Sequence, residues 1–208
     1  MSAAAHAEAA APPPDTGPLG MWIFLATELL FFGGLFAAYA WGRTHWSDGF
    51  SEASRHTHVV LGTLNTALLL TSSALVAVAT MCAGEERRRR AAARLLAGAA
   101  LLGVAFLALK GVEYAKEWHE GLFPGPGFSL ARHAGAELFF MLYFVMTGLH
   151  ALHLLIGVGL LGTFALGAWR GSPWADAGHV EVAGLYWHFV DVVWIVLYPL
   201  LYLAGRAS

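Results

Sequence analysis

Charged side chains are scarce in this sequence. Asp, Glu, Lys and Arg together make up 12% of its 208 residues, whereas hydrophobic residues make up 58%. A soluble domain usually has about 25% charged residues, so this chain has too little polar surface to face water on every side. The formal net charge of -2 also lacks the basic excess that is typical of nucleic-acid binding, and we expect no nucleic-acid partner.

Cysteine and catalytic motifs are scarce as well. Cys82 is the single cysteine, so the chain has no internal disulfide and gives no indication of a redox compartment. No hydrolase elbow, P-loop or dinucleotide fingerprint is present. The close-set glycines of Pro124-Gly125-Pro126-Gly127 lack the Lys-Ser/Thr of a phosphate loop, and they predict a turn instead.

Basic residues are missing from the first 18 positions, which are rich in Ala and Pro. This segment also lacks a short apolar core before a small-residue cleavage site, so it does not resemble a secretory signal. We interpret residues 1–18 as a disordered cytoplasmic tail that contains Pro12-Pro13-Pro14.

Long apolar segments are what the sequence has in abundance. Five of them come near the ~20 residues that a helix needs to cross the hydrocarbon layer. Because backbone groups in lipid must be satisfied within the chain, segments of this kind are predicted to be helices. We therefore predict an all-α polytopic membrane protein, a five-transmembrane-helix bundle over residues 19–205. The predicted spans are about 19–42, 58–83, 92–117, 135–168 and 182–204.

The segments between the spans carry turn and charge signals. Ser47-Asp48-Gly49 and Gly171-Ser172-Pro173 predict turns, and Arg87 to Arg90 plus Arg94 form a basic run between the second and third spans. By the positive-inside rule this run is predicted to be cytoplasmic, which places the N-terminus in the cytoplasm and the C-terminus in the periplasm or outside. The absence of an internal repeat disfavours an inverted-repeat transporter.

Glu28 is an ionisable residue near the middle of the first predicted span. A charge there costs at least ~2.5–3.5 kcal/mol on insertion scales, and no basic residue lies within one turn. Desolvation therefore favours its neutral form. Two interpretations stay open: a proton-linked or proton-buffering carboxyl, and a protonated carboxyl that only bonds a neighbouring helix.

The other polar residues inside the spans predict a structural network. Its predicted members are Asn65, Lys110, Glu113, His150, His153, His188 and Asp191. We expect Asn65 to bond across helices. Lys110 and Glu113 are spaced i, i+3 and predict an ion pair, with a lipid-headgroup or partner contact of a snorkelling lysine as the alternative.

The histidines admit a second interpretation. His150 and His153 are spaced i, i+3, as are His188 and Asp191, and imidazoles on facing helices can ligate haem or a metal. However, the helices contain no Glu-x-x-His pair of the di-iron type and no His-Glu-x-x-His. A buried polar network is therefore favoured, and we predict no catalytic residue and no metal ligand.

Four strings, taken in order, resemble those of a known family. They are Glu28-Leu-Leu-Phe-Phe-Gly33-Gly-Leu-Phe-Ala; Leu64-Asn65-Thr66 with Thr71-Ser72-Ser73; Lys110-Gly-Val-Glu113-Tyr114 followed by Gly121-Leu-Phe-Pro124-Gly; and Gly148-Leu-His150-Ala-Leu-His153-Leu-Leu-Ile-Gly157 with Tyr186-Trp187-His188-Phe189-Val190-Asp191-Val-Val-Trp194. From about Gly20 to Gly205 the chain resembles subunit III of haem–copper oxidases, meaning cytochrome c or quinol oxidase polypeptide III. It is similar to the bacterial five-helix form, which lacks two N-terminal helices of the longer form.

The resemblance implies a subunit with no chemistry of its own in an oxidoreductase that translocates protons. Such a subunit is expected in the bacterial inner membrane, in direct contact with subunit I and in a complex with subunit II and a small subunit IV. Haem and copper would lie in the partner, and structural phospholipids would accompany this chain. The implied role is to stabilise subunit I and to support proton uptake during oxygen reduction in aerobic electron transport. Glu28 matches the family's buried carboxylate, which reacts with a hydrophobic carbodiimide.

Three alternatives to this function stay open at the level of sequence. The first is a nitric oxide reductase accessory membrane protein. The second is an independent proton-coupled transporter built around Glu28 and the histidines. The third is a membrane protein that binds haem b through His150 and His188.

Overall fold

The computed structural model describes residues 17–206, and every regular element in that range is helical. Five helices are long and apolar enough to span a membrane, which confirms the predicted all-α class and the number of spans. In chain order the helices are α1 (Gly17–His45), α2 (Ser47–Arg55), α3 (Val59–Ala83), α4 (Arg89–His119), α5 (Ala136–Arg170) and α6 (Ala177–Tyr198), and α2 is too short to span. Of the predicted tail, residues 1–16 lie outside the described range, whereas Gly17 and Pro18 belong to α1.

The long helices form a bundle of four with the fifth at its edge. α4 packs between α3 and α5, and α6 packs against both α3 and α5, while α1 makes smaller contacts with α5 and α6. The most apolar stretch of α1 is 11% buried, against 56% in α6. α6 is therefore the centre of the fold, and α1 presents most of its surface to the surroundings.

Two buried tryptophans of α6 fill the centre of the bundle. Trp187 and Trp194 are both almost fully buried. The indole of Trp187 lies so close to Gly103 on α4 and Gly157 on α5 that a Cβ at either glycine would approach within 2.7 or 2.9 Å of it. Small residues let helices approach closely in lipid, and here they make room for one large ring.

The structure differs from the sequence prediction at Ser47-Asp48-Gly49, where it has the start of helix α2 rather than a turn. Phe50 and Ala53, spaced i, i+3, are buried on one face of α2, and the Oγ of Ser54 donates to the carbonyl of Leu201 at 3.1 Å. Helix α2 is thus an amphipathic helix that packs on the end of the bundle, because its buried residues recur at helical spacing.

Helix α6 begins at Ala177, ahead of the predicted start at residue 182, because Asp176 caps it. The backbone N–H of His179 donates to the Asp176 carboxylate at 2.9 Å, which satisfies one free donor of the first turn. The same hydrogen bond holds the pKa of Asp176 below its usual value. Hydropathy does not predict this first turn of α6, because the turn contains Gly178, His179 and Glu181.

A glycine with positive φ ends α5, and two more allow the turn that follows α4. Gly171 has φ +78 at the end of α5, and Gly125 and Gly127 have φ +141 and +98 in the loop after α4. Residues with a side chain rarely adopt these angles. At its far end α6 widens into a π-helical turn, Pro199–Leu203, since Pro199 lacks an N–H for the regular ladder.

Candidate functional site

Glu28 on α1 and His153 on α5 form a side-chain pair between two helices. His153 Nε2 and Glu28 Oε2 are 3.1 Å apart, although the residues are 125 positions apart in the chain. The other ring nitrogen, Nδ1, lies 2.9 Å from the carbonyl oxygen of Leu149. The pair links α1 to α5, and the side chains of Tyr39 and Arg43 link α1 to the carbonyls of Leu200 and Ala204 at the other end of the helix.

The geometry of this pair assigns its protons. A carbonyl oxygen only accepts, so Nδ1 of His153 carries a hydrogen and donates to Leu149. Nε2 then either accepts a proton from a neutral Glu28 carboxyl or, in an imidazolium, donates to a carboxylate. Both forms hold one proton between Nε2 and Oε2, and that proton can reside on either partner.

The pair is incompletely buried. The side chain of His153 is 14% exposed and that of Glu28 is 19% exposed. The ring of Phe32 stands edge-on to the imidazole at 5.5 Å, and the hydroxyl of Tyr186 donates to the carbonyl of His153 at 3.0 Å. Aromatic groups therefore position the imidazole, and both side chains of the pair keep a small exposed fraction where α1 meets α5.

A second polar group, which we call the Lys110 cluster, joins α4, α5 and the π-helical turn. It consists of Lys110, Glu113, Glu117, Tyr143 and Tyr202. Lys110 Nζ donates to Glu113 at 3.0 Å and to the hydroxyls of Tyr143 and Tyr202, each at 2.7 Å. Tyr143 in turn donates to Glu117 at 2.6 Å. The predicted ion pair of Lys110 and Glu113 is present, and Lys110 is 2% exposed rather than extended to the membrane surface.

Glu117 and the two tyrosines of this cluster were missed at the level of sequence. Glu117 follows Glu113 by four residues and Lys110 by seven, which is the spacing of one helix face, and it is fully buried. That spacing was a usable signal. Tyr143 and Tyr202 come from other parts of the chain, and nothing near them in the sequence links them to Lys110.

Charge balance in the Lys110 cluster requires a retained proton. One ammonium and two carboxylates would leave a net charge of -1 in a fully buried site. An isolated buried charge is too costly to persist, and such a group neutralises itself instead. We therefore expect one of the two carboxyls to keep a proton, which makes the cluster neutral as a whole.

A third set of polar contacts links α3 to α6. Ser73 Oγ and His188 Nδ1 are 2.7 Å apart, and Trp194 Nε1 donates to the Oγ1 of Thr66 at 3.0 Å. On the other side of α3, Ser72 donates to the carbonyl of Ala99 on α4 at 3.2 Å. These bonds position three helices against one another.

Three of the predicted network residues are buried but not joined to these groups. Asn65, His150 and Asp191 are each at most 3% exposed, yet none of their side-chain polar atoms has a hydrogen-bond partner within residues 17–206. The imidazole of His150 instead packs against the rings of Trp194 and Phe106, at 5.1 and 5.6 Å. The expected bond of Asn65 across helices is thus not made by any described residue.

The structure therefore divides the predicted network into separate parts. Glu28 joins His153, Lys110 joins Glu113, and His188 joins a serine, whereas Asn65, His150 and Asp191 stand apart. Within residues 17–206, no three His, Cys, Asp or Glu side chains come together as a metal site.

Nearly the whole chain is similar to one family of membrane subunits. The sequence model of "Cytochrome c oxidase subunit III" matches residues 14–206. Cytochrome c oxidase subunit 3 of Thermostichus vulcanus is 32% identical over 195 residues, which cover 93% of this chain and 90% of the relative. The subunit of the same name from Bacillus subtilis is 33% identical, covering 91% and 87%.

A further relative has a different organisation. The protein named heme-copper oxidase subunit I+III, from Aeropyrum pernix, is 32% identical over 201 residues. The aligned segment covers 92% of this chain but 23% of the relative. In that organism a segment similar to this chain is thus part of a much longer polypeptide.

Proposed function

Because the chain belongs to the cytochrome c oxidase subunit III family, we propose that it is the non-catalytic third subunit of a haem–copper respiratory oxidase, which stabilises subunit I and supports proton uptake during oxygen reduction. The observation that carries this proposal is the match over nearly the entire chain, from residue 14 to residue 206. The relatives bear oxidase names, so they give no support to a nitric oxide reductase accessory protein, to a transporter or to a haem b protein.

Subunit I is the direct partner in this proposal. The Aeropyrum pernix relative carries both subunit names in one polypeptide, which requires the two parts to lie in one complex. Subunit II and a small subunit IV complete the proposed assembly, and haem and copper lie in the partner subunits. Structural phospholipids accompany the chain, as for other subunits embedded in lipid.

The proposed orientation follows the distribution of arginine. Arg87 and Arg88 lie between α3 and α4, Arg89 and Arg90 begin α4, and a basic segment of this kind is retained in the cytoplasm. This places the N-terminus in the cytoplasm and the C-terminus outside the bacterial inner membrane. The end of the bundle that holds α2 and the π-helical turn then faces outward.

The proton-supporting part of the proposal rests on Glu28 and His153. The pair holds one proton between two groups, and both are partly exposed at the edge of the bundle. The pair brings a carboxyl and an imidazole within hydrogen-bond distance, so a proton can pass from one group to the other. It can therefore buffer protons that enter the adjacent catalytic subunit.

The proton role is tested by substitution in the assembled oxidase. Glu28→Gln and His153→Gln are expected to lower turnover and the rate of proton uptake, because neither variant keeps both the carboxyl and the imidazole between which a proton can be transferred. Glu137→Gln is the matched control, since Glu137 is an exposed carboxyl at the start of α5. Unchanged turnover and proton uptake in both pair variants would contradict the proton role.

The structural role is tested by purification of the tagged full-length chain in a gentle detergent. A large subunit with the visible spectrum of haem is expected to purify with it, and mass spectrometry identifies that subunit. Loss of this chain is expected to shorten the active lifetime of the oxidase. A colourless chain that purifies alone, under conditions that keep other respiratory complexes intact, would contradict the subunit assignment.

A further inference from the structure

A groove runs along the membrane-facing seam between α4 and α5. Its volume is about 480 Å³. Small residues of both helices line it, and three of them, Ala93, Ala100 and Ala165, are nearly buried. Gly162 also lines the groove, and a Cβ there would meet nothing within 4 Å. The groove between α4 and α5 is therefore a consequence of the small side chains that line it.

A basic pocket of about 350 Å³ lies at one end of this groove. Arg89, Arg90 and Arg170 line the pocket together with Glu86. Trp169 lines both the pocket and the groove, so the two are continuous. Arg94 lines the groove, with its guanidinium over the Trp169 ring at 5.9 Å.

The three arginines of the pocket, and Arg94 in the adjoining groove, carry positive charge that no ion pair within residues 17–206 neutralises. Arg88, their neighbour in sequence, is paired with Glu85 at 2.9 Å, whereas no ion pair joins Arg89, Arg90, Arg94 or Arg170 to any acidic residue within 17–206. Glu86 is the one acidic side chain that lines the pocket. Four cations against one carboxylate leave an excess of positive charge at the end of an apolar groove.

We infer that the α4–α5 seam binds one phospholipid with an anionic headgroup. The phosphate lies among Arg90, Arg94 and Arg170, and one acyl chain lies along the groove. The charge pattern favours this occupant, because basic side chains beside a membrane span attract anionic lipids. From Arg94 to Val104, which also lines the groove, the α4 axis advances ~15 Å, so the groove accommodates an extended portion of an acyl chain.

The headgroup half of the site is tested by native mass spectrometry. The tagged full-length chain, with the subunits that purify with it, is transferred to a mild detergent and titrated with phosphatidylglycerol or phosphatidylcholine. The triple variant R90Q/R94Q/R170Q is expected to bind phosphatidylglycerol about a hundredfold more weakly, since each removed cation weakens the attraction to an anionic lipid. The control R87Q/R88Q removes charge from the same loop at residues that do not line the pocket, and it is expected to bind like the parent.

The acyl-chain half is tested by filling the groove. Gly162→Leu projects a side chain into it, whereas Gly159→Leu adds the same side chain to α5 at an open position that does not line the groove. Only the first is expected to weaken lipid binding. If it leaves phosphatidylglycerol binding unchanged while the triple arginine variant weakens it, the pocket recognises only the phosphate group and the assignment of the groove to an acyl chain is wrong.

Three other results would overturn the inference. Equal losses in R87Q/R88Q and in the triple variant would indicate attraction to the whole loop. Equal affinity of the parent for phosphatidylcholine and phosphatidylglycerol would remove the anionic specificity. Loss of a protein subunit, rather than of lipid, from the triple variant would identify the seam as a protein interface. The lipid result does not depend on the oxidase assignment, which the spectrum of the same preparation reports separately.

Discussion

The Glu28–His153 pair and the Lys110 cluster place charge-bearing groups in the same membrane in two different ways. The cluster gives Lys110 three hydrogen-bond partners from three parts of the chain and buries it almost completely. The pair has one hydrogen bond between its side chains and keeps 14 to 19% of them exposed. A closed cluster holds helices together, whereas an open pair can exchange a proton or meet a partner.

The location of each group explains this difference. Three packed elements surround the Lys110 cluster, so an ammonium there is stable only if every donor finds an acceptor within the chain. Helix α1 lies at the edge of the bundle, where Glu28 and His153 keep part of their side chains exposed. We therefore propose that the Glu28–His153 pair serves proton exchange, whereas the Lys110 cluster serves stability.

Lys110→Met is expected to have the largest effect, because it leaves two buried carboxyls without a cation. Removing one partner of a buried ion pair costs about 3–5 kcal/mol. We expect a much lower thermal midpoint in detergent and a poor yield of folded chain. Lys116→Met is the control, since Lys116 is exposed on the same helix.

A second variant sharpens this prediction. In the triple variant K110M/E113Q/E117Q no carboxyl is left without a cation, so it is expected to recover part of the lost stability. A midpoint for Lys110→Met equal to that of the parent would show that the cluster does not hold α4 against α5 and α6, and the comparison would fail.

Tyr143→Phe is expected to have an intermediate effect. The hydroxyl of Tyr143 accepts from Lys110 and donates to Glu117, and a buried polar group that loses its partner costs about 1–3 kcal/mol. Tyr198→Phe is the matched control, because its hydroxyl bonds Thr63 at an exposed position. Thermal unfolding of both variants in the same detergent measures the difference. An equal decrease of the thermal midpoint in the two variants would show that the buried hydrogen bonds of Tyr143 contribute no more stability than the exposed hydrogen bond of Tyr198.

Glu28→Gln is expected to have the smallest effect on stability. A side-chain hydrogen bond between membrane helices contributes about 0.6 kcal/mol on average, and the amide of a glutamine can still donate to Nε2 of His153. The thermal midpoint should stay near that of the parent even while proton uptake falls. A large loss of stability would make the pair structural, like the Lys110 cluster, and would remove the contrast between the two regions.

Local spacing predicted some parts of the site and not others. Lys110 and Glu113 meet because residues three apart share a helix face, and the sequence was sufficient for that pair. His150 and His153 have the same spacing, yet His150 packs on Trp194 while His153 bonds Glu28. Sharing a face does not decide which neighbouring helix that face meets.

The helix boundaries follow the same division. Apolar length predicted the five spans, because lipid forces the backbone of each to bond within itself. Helix α2 was not predicted, because its stability comes from Phe50 and Ser54 packing on distant parts of the chain. The early start of α6 depends on the cap at Asp176, a single hydrogen bond that hydropathy does not register.

The sequence by itself determined that this protein is a helical membrane subunit with five spans, that it resembles oxidase subunit III, and that Glu28 must be satisfied within lipid. Only the tertiary structure decided that His153 is the partner of Glu28 and that Glu117, Tyr143 and Tyr202 enclose Lys110. It also decided that α4 and α5 leave a groove beside arginines that have no ion pair within residues 17–206. The physical reason is that hydrophobicity and helix periodicity act along the chain. The choice of neighbour depends on how side chains far apart in sequence fit together.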